Sequence, residues 1–185
     1  MVSILALWLP ILLAAALVFV ASSIIHMVLG HHNSDFRGLD DEAGVLDALR
    51  PFNIAPGGYH FPHAADMKEM GTPEFKQKAD RGPVGIMTVY PNGVPAMTSS
   101  LVQWFFYCVI VGVFAAYITS RAVGPGADYL DVFRFAGCTA FIAYTVADWS
   151  QSIWYKRAWS TTIKNTFDGL VYALLTAGVF GWLWP

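Results

Sequence analysis

From Ile4 to Leu29 the chain carries no Asp, Glu, Lys or Arg. Crossing the ~30 Å hydrocarbon core of a bilayer takes about 20 apolar residues. Lipid offers no partner to a free backbone amide, so a stretch of this kind must be helical. No Lys or Arg precedes the run and no A-x-A site follows it, which reads as a membrane span and not as a cleaved secretion signal. Pro10 is expected to kink the helix near its start.

Three more stretches have the same character, Leu101 to Thr119, Val132 to Trp154 and Phe167 to Trp184, although the second of these contains Arg134, Asp148 and Gln151. With 56% hydrophobic and 13% charged residues, the composition is that of a membrane protein. The expected fold is an all-α integral membrane protein of four transmembrane helices, with a small α+β soluble cap between helices 1 and 2. The divisions are residues 1–30 for helix 1, 31–99 for the cap and 100–185 for helices 2 to 4, the last forming one membrane domain with helix 1.

The cap carries local structure signals. Asp40 or Asp41 can cap a short helix over Leu39 to Leu49 that Pro51 ends. Thr72-Pro73-Glu74 starts a second helix running to Gly82. Between them, Pro56-Gly57-Gly58 reads as a turn, and Val84 to Tyr90 as a strand closed by the hairpin dipeptide Asn92-Gly93.

Four spans place the N-terminus, the turn in the 120s and the C-terminus on one side, with Arg121 and, just inside, Arg134. Arg37, Arg50, Lys68, Lys76, Lys78, Arg81, Lys156, Arg157 and Lys164 lie on the other. By the positive-inside rule the second side, which includes the long loop, is cytoplasmic, and the membrane is the cytoplasmic (inner) one. Trp8, Trp182 and Trp184 suit an aromatic belt on one face, and Trp149, Trp154 and Trp159 the belt on the other.

Asp148 and Asp168 flank the turn between the last two spans and fall roughly 11 to 12 Å from it at 1.5 Å per residue. Tyr144, Asp148, Gln151 and Tyr155 share one helical face by spacing, as do Asn165, Asp168, Tyr172 and Thr176. Helix 1 adds His26 and helix 2 adds Gln103 near the same membrane level, with His31 and His32 just outside. His26, Gln103, Tyr144, Asp148, Gln151, Asp168 and Tyr172 therefore form a candidate polar intramembrane cluster. Within it and beside it, His26, His31, His32, Asp148 and Asp168 are the candidate metal ligands.

The alternative for these residues is structural: Asp168 pairs with Lys164, Asp148 bonds Tyr or Gln neighbours, and the stripes join helices through hydrogen bonds. Arg134 and Asp131 read as an interfacial ion pair, and His60 with His63 as an extended segment aiming its imidazoles apart. Gly112 with Ala116, Ala136 with Ala140, and Ala173 with Ala177 are small-residue pairs suited to close helix packing. Cys108 and Cys138 lie at different depths and should not bridge.

A net charge of −2 without a basic run gives no reason to expect nucleic acid. Walker, GxSxG, HExxH, CxxCH and Rossmann patterns are absent, and the sequence requires no cofactor. The partners expected are the lipid bilayer and either a membrane protein or further copies of the chain. The leading functional expectation is a multi-pass, non-catalytic accessory or scaffold subunit of a membrane complex. The alternatives are a small membrane oxidoreductase or metal-dependent enzyme using the Asp/His cluster, and a proton or ion pathway formed by an oligomer.

Overall fold

The computed structural model describes residues 1–185. A 3-10 turn at Ile4–Leu7 leads into α1 (Trp8–Met27). Pro10 lies in the first turn of α1, where a helix tolerates proline because those amides have no intrahelical acceptor. Then come α2 (Glu42–Leu49), β1 (Gly57–Phe61), α3 (Met67–Met70), α4 (Pro73–Arg81), β2 (Gly85–Val89), α5 (Met97–Ala122), α6 (Tyr129–Thr145), α7 (Trp149–Tyr155) and α8 (Trp159–Trp182).

Residues 1–37 and 96–185 form one compact unit, and Gly38–Pro95 form another. In the second, Asp41 caps α2 by accepting from Gly44 N at 3.0 Å, and Thr72 caps α4 by accepting from Phe75 N at 3.2 Å. The expected two-stranded element is present with a different partner. β2 runs antiparallel to β1, Gly57 opposite Val89 and Phe61 opposite Gly85. Gly57-Gly58 therefore open a strand and do not form a turn, and Asn92-Gly93 close no hairpin. A strand after Gly93 would have to include Pro95, which has no amide proton to donate, and α5 begins at Met97. No side chain in this unit is buried.

The first unit is a bundle of long helices. Its core is built largely from small residues: Ala115, Ala116, Ala136, Ala140, Ala173 and Ala177 are all buried, with Leu7, Val18, Val132 and Phe180 filling the remaining space. Small side chains let helix backbones approach closely where lipid supplies no hydrophobic drive toward association. Gly169 shows the consequence: a Cβ there would stand 2.2 Å from Thr145 Cγ2, so α8 and α6 touch at a point only glycine allows.

The outward surface is apolar. Phe106, Ile110 and Phe114 on α5, and Ile163, Phe167, Leu170 and Leu174 on α8, are exposed, a pattern that a water-facing bundle would avoid. Cys108 is buried, Cys138 is exposed, and both are free thiols, as their different depths require.

Three helical segments are long and apolar enough to cross a membrane: Ile4–Met27, Met97–Ala122 and Tyr129–Tyr155. α8 has comparable length, but Lys164, Asn165 and Asp168 in its first half lower its apolar character. The third segment is interrupted. α6 ends at Thr145, a 3-10 turn covers Val146–Asp148, and α7 resumes at Trp149. Thr145 returns its hydroxyl to Phe141 O at 2.6 Å, and the Gly169 contact falls at the same place. Tyr144 thus lies on α6 and Asp148 on the turn itself, and the single continuous stripe expected from spacing is interrupted.

Candidate functional site

His26 lies in the last turn of α1, and the chain then reverses. Gly30 makes the reversal possible: it sits at φ +64, a conformation L side chains rarely adopt, and a Cβ would meet Asn33 Nδ2 at 3.2 Å. Asn33 N bonds Gly30 O at 3.1 Å and Asp35 N bonds His32 O at 2.9 Å. This tight turn folds His31 and His32 back against the helix end. The His32 ring stacks on His26 with centroids 4.4 Å apart and lies 4.1 Å from His31.

His32 bridges two carboxylates. Nδ1–H donates to Asp35 Oδ2 and Nε2–H donates to Asp168 Oδ2, each at 2.6 Å. Burial alone would lower the pKa of this imidazole, but the hydrogen bonds to Asp35 and Asp168 outweigh it and raise the value above the usual one. Asp35 shows the complementary effect: burial opposes ionisation, while hydrogen bonds from Lys164 and His32 override it and bring the carboxyl to about 2. Lys164 uses all three of its protons, donating to Asp35 Oδ1 at 2.8 Å, His31 O at 2.6 Å and Ser34 Oγ at 2.9 Å.

Asp168, on α8, is only 3% exposed. Its Oδ1 lies 3.3 Å from His31 Nε2, an ion-pair contact outside hydrogen-bond geometry, and it accepts no hydrogen bond. A buried carboxylate oxygen with no donor is expensive, since it has surrendered water for nothing. The expected structural pairing of Asp168 with Lys164 does not form: Lys164 serves Asp35, and imidazoles serve Asp168.

Asp148, on the 3-10 turn, has a separate set of partners. It pairs with Arg157 and accepts from Asn165 Nδ2 at 2.9 Å, while Arg157 also donates to the Asp148 carbonyl at 3.2 Å. The two aspartates therefore belong to two distinct networks. Asp148, expected among the metal ligands, does not join the donors that converge on one point; those are His26, His32 and Asp168, whose ligand atoms all lie within 4.8 Å of one another.

Both networks open onto a cleft of about 790 Å³ in the helical unit. His26, Gln103, Tyr144, Asp148, Gln151, Asp168 and Tyr172 all line it. Trp104 and Tyr107, which spacing does not single out, complete an aromatic wall with Tyr144 and Tyr172. Trp104 stacks on Tyr107 at 5.3 Å, and Tyr144 stands edge-on to Tyr172 at 5.5 Å. Trp104 also donates to Ser22 on α1 at 2.8 Å, and Tyr107 donates to Ala143 O on α6 at 2.7 Å. The signals were present, since Trp104 follows Gln103 and Tyr107 lies one helical turn beyond it. Asp35, three residues after His32, was likewise readable as its partner.

No family model, curated protein or solved structure matches the chain.

Proposed function

We propose that this chain is a small multi-pass membrane enzyme whose active site is the cleft, acting on an amphipathic molecule that reaches it from the bilayer. One observation carries the reading: the cleft joins a wall of four aromatic rings to a buried carboxylate with an unused oxygen. Cavities of a few hundred to 1,000 Å³ with apolar walls and a few convergent polar groups are the usual form of small-molecule sites. A purely scaffolding bundle has no use for such a carboxylate, and this favours the enzyme over the accessory subunit.

The membrane arrangement that goes with this reading has four spans. On α8 the polar groups turn inward, Asp168 to the imidazoles and Lys164 to Asp35, while Ile163, Phe167, Leu170 and Leu174 form an outward apolar stripe. A 24-residue helix extends about 36 Å at 1.5 Å per residue, enough to cross. The Lys and Arg distribution then puts the segment between α1 and α5 on the cytoplasmic side of the cytoplasmic membrane, with both termini opposite.

Partner binding keeps one specific observation in its favour. The Gly38–Pro95 unit has no buried side chain, and Phe52, Met67, Val84 and Tyr90 are exposed, so it lacks a core of its own. An enzyme whose soluble segment docks on a protein partner satisfies both observations.

The test is to purify wild type and Trp104→Ala, Tyr107→Ala protein in mild detergent and compare their organic extracts by mass spectrometry. A small molecule retained by wild type and lost from the variant supports the enzyme. Identical extracts from two equally well-folded proteins sink it and return the accessory subunit to first place.

A further inference from the structure

His26, His32 and Asp168 come from two ends of the chain, the close of α1 with its following turn and the middle of α8, and bring two imidazoles and a carboxylate to one point. We propose that these three side chains hold a single first-row divalent transition-metal ion, of the Zn²⁺ or Fe²⁺ class, at the edge of the cleft. The inference stands independently of what occupies the cleft.

Asp168 supplies the first argument. Its carboxylate is almost wholly buried, one oxygen is bound by His32, and the other accepts nothing. His31 Nε2, 3.3 Å away, is outside hydrogen-bond geometry, and a cation held between this carboxylate and the imidazoles would supply the partner the oxygen lacks. The second argument is the setting of His32. A metal-ligating histidine nearly always donates its other ring N–H to a carboxylate or carbonyl, which fixes the tautomer and aims the free nitrogen. Asp35 does this at Nδ1, and Lys164 in turn holds Asp35, so Nε2 already points at Asp168; the Nε2 proton it now donates there is the one the ion displaces to solvent.

The donor chemistry limits the ion. Two imidazole nitrogens and one carboxylate oxygen suit zinc, iron and their neighbours; magnesium and calcium prefer sites made of oxygen alone, and Cu(I) and iron–sulfur clusters prefer thiolates. Bond lengths of about 2.0–2.1 Å set donors roughly 3.3 Å apart around a tetrahedral ion, so His32 and Asp168, now 2.6 Å apart, must open slightly and His26 must move inward. The exposed His26 ring can supply this by rotation, since its one polar contact is a 3.5 Å approach to Tyr172 Oη. Three protein ligands also leave a coordination position free, the arrangement of catalytic rather than structural sites. His26 and Asp168 both line the cleft, so that position opens into it.

The experiment uses the full chain in detergent, stripped by chelator. Zn²⁺ is titrated by calorimetry, and Co²⁺ serves as a reporter through its visible absorption. One equivalent of Zn²⁺ is expected, with binding weakened at least about 100-fold in His32→Ala. Asp35→Asn should keep the stoichiometry and lose about 10- to 100-fold in affinity, the usual effect of removing such an outer carboxylate. His26→Ala guards against misfolding, because an exposed ring can be removed without touching the core: its melting temperature should match wild type without metal, while Zn²⁺ binding falls and the Co²⁺ spectrum shifts. His60→Ala, His63→Ala protein should bind as wild type does. Absence of stoichiometric binding, binding indifferent to His26 and His32, or binding lost with His60 and His63 would each overturn the proposal.

Discussion

Lys164 Nζ donates to Asp35 Oδ1 over 2.8 Å, although 129 positions separate the two residues in the chain. The bond ties the last helix to the turn after the first and so closes the bundle at the level of the imidazoles. The Asp35 side chain is only 6% exposed, while that of Lys164 is partly open at 25%. Removing the lysine leaves a largely covered carboxylate with His32 as its remaining partner. Lys164→Met should destabilise the protein by about 1–3 kcal/mol, the cost of stripping a partner from a buried polar group. Lys164→Met combined with Asp35→Asn should cost less than the sum of the two single changes, because residues in one network do not act additively. Thermal unfolding of the four proteins in one detergent closes the cycle, and additive losses would show that the bond contributes nothing.

Asp168 and Asp148 should respond differently to the same change. Asp168→Asn replaces an acceptor with an amide whose NH₂ faces imidazole nitrogens in a nearly closed site, so a loss of about 1–3 kcal/mol is expected. Asp148 is more open, its side chain 27% exposed, and its partner Arg157 is 31% exposed. Asp148→Asn should cost less than about 1 kcal/mol, in line with partly screened pairs. Equal losses would mean that depth in the bundle, and not the identity of the partners, sets the cost.

The sequence made one level of this site legible and hid the next. Helical rise and face spacing group His26, Gln103, Tyr144, Asp148, Gln151, Asp168 and Tyr172 into one polar cluster, and all seven line the same cleft. Pairing was not legible. It depends on the rotation of each helix about its axis and on the reversal at Gly30, and neither leaves a periodic signal. That is why Lys164 was assigned to Asp168 four residues away when its partner is Asp35, across the bundle. The 3-10 turn at Val146–Asp148 was hidden for a related reason: it coincides with a contact to Gly169 that exists only once α8 has docked. In the soluble segment the capping residues Asp41 and Thr72 were readable because caps are local. The strand partner of Gly85–Val89 was not, since it lies beyond two helices.

Gly169 predicts a packing effect with its own rescue. Alanine would place Cβ 2.2 Å from Thr145 Cγ2, and overpacking of this kind costs about 1–3 kcal/mol. Thr145→Ser removes that methyl group while keeping the hydroxyl that bonds Phe141 O, so Gly169→Ala with Thr145→Ser should recover most of the loss. Gly124→Ala, at a position with nothing within 4 Å, should stay within about 0.5 kcal/mol of wild type. Melting temperatures of the four proteins decide the matter, and a double variant as unstable as Gly169→Ala would place the strain elsewhere.

Whether α8 crosses the bilayer can be read from the side on which the chain ends. With four spans, Pro185 and the N-terminus share the outer side, and the soluble segment faces the cytoplasm with most of the basic residues. With α8 lying in the membrane plane, Pro185 would instead face the cytoplasm along with Gly38–Pro95. Alkaline phosphatase fused after Pro185 is active only if exported, so it should be active here, and green fluorescent protein at the same point should be dark. In a Cys108→Ser, Cys138→Ser background, Gly38→Cys, at an exposed position with nothing within 4 Å of an added Cβ, should resist a membrane-impermeant maleimide in intact cells and react once the cells are lysed. The apolar stripe Ile163, Phe167, Leu170 and Leu174 makes a further demand. If it faces lipid at depth, Leu170→Arg should impair insertion, since an arginine at the centre of a span costs about 2.5–3.5 kcal/mol on insertion scales, whereas Ser160→Arg near the helix start should be tolerated. An inactive phosphatase together with a bright fluorescent fusion would remove the fourth span and, with it, the common depth of Asp168 and His26 within the membrane.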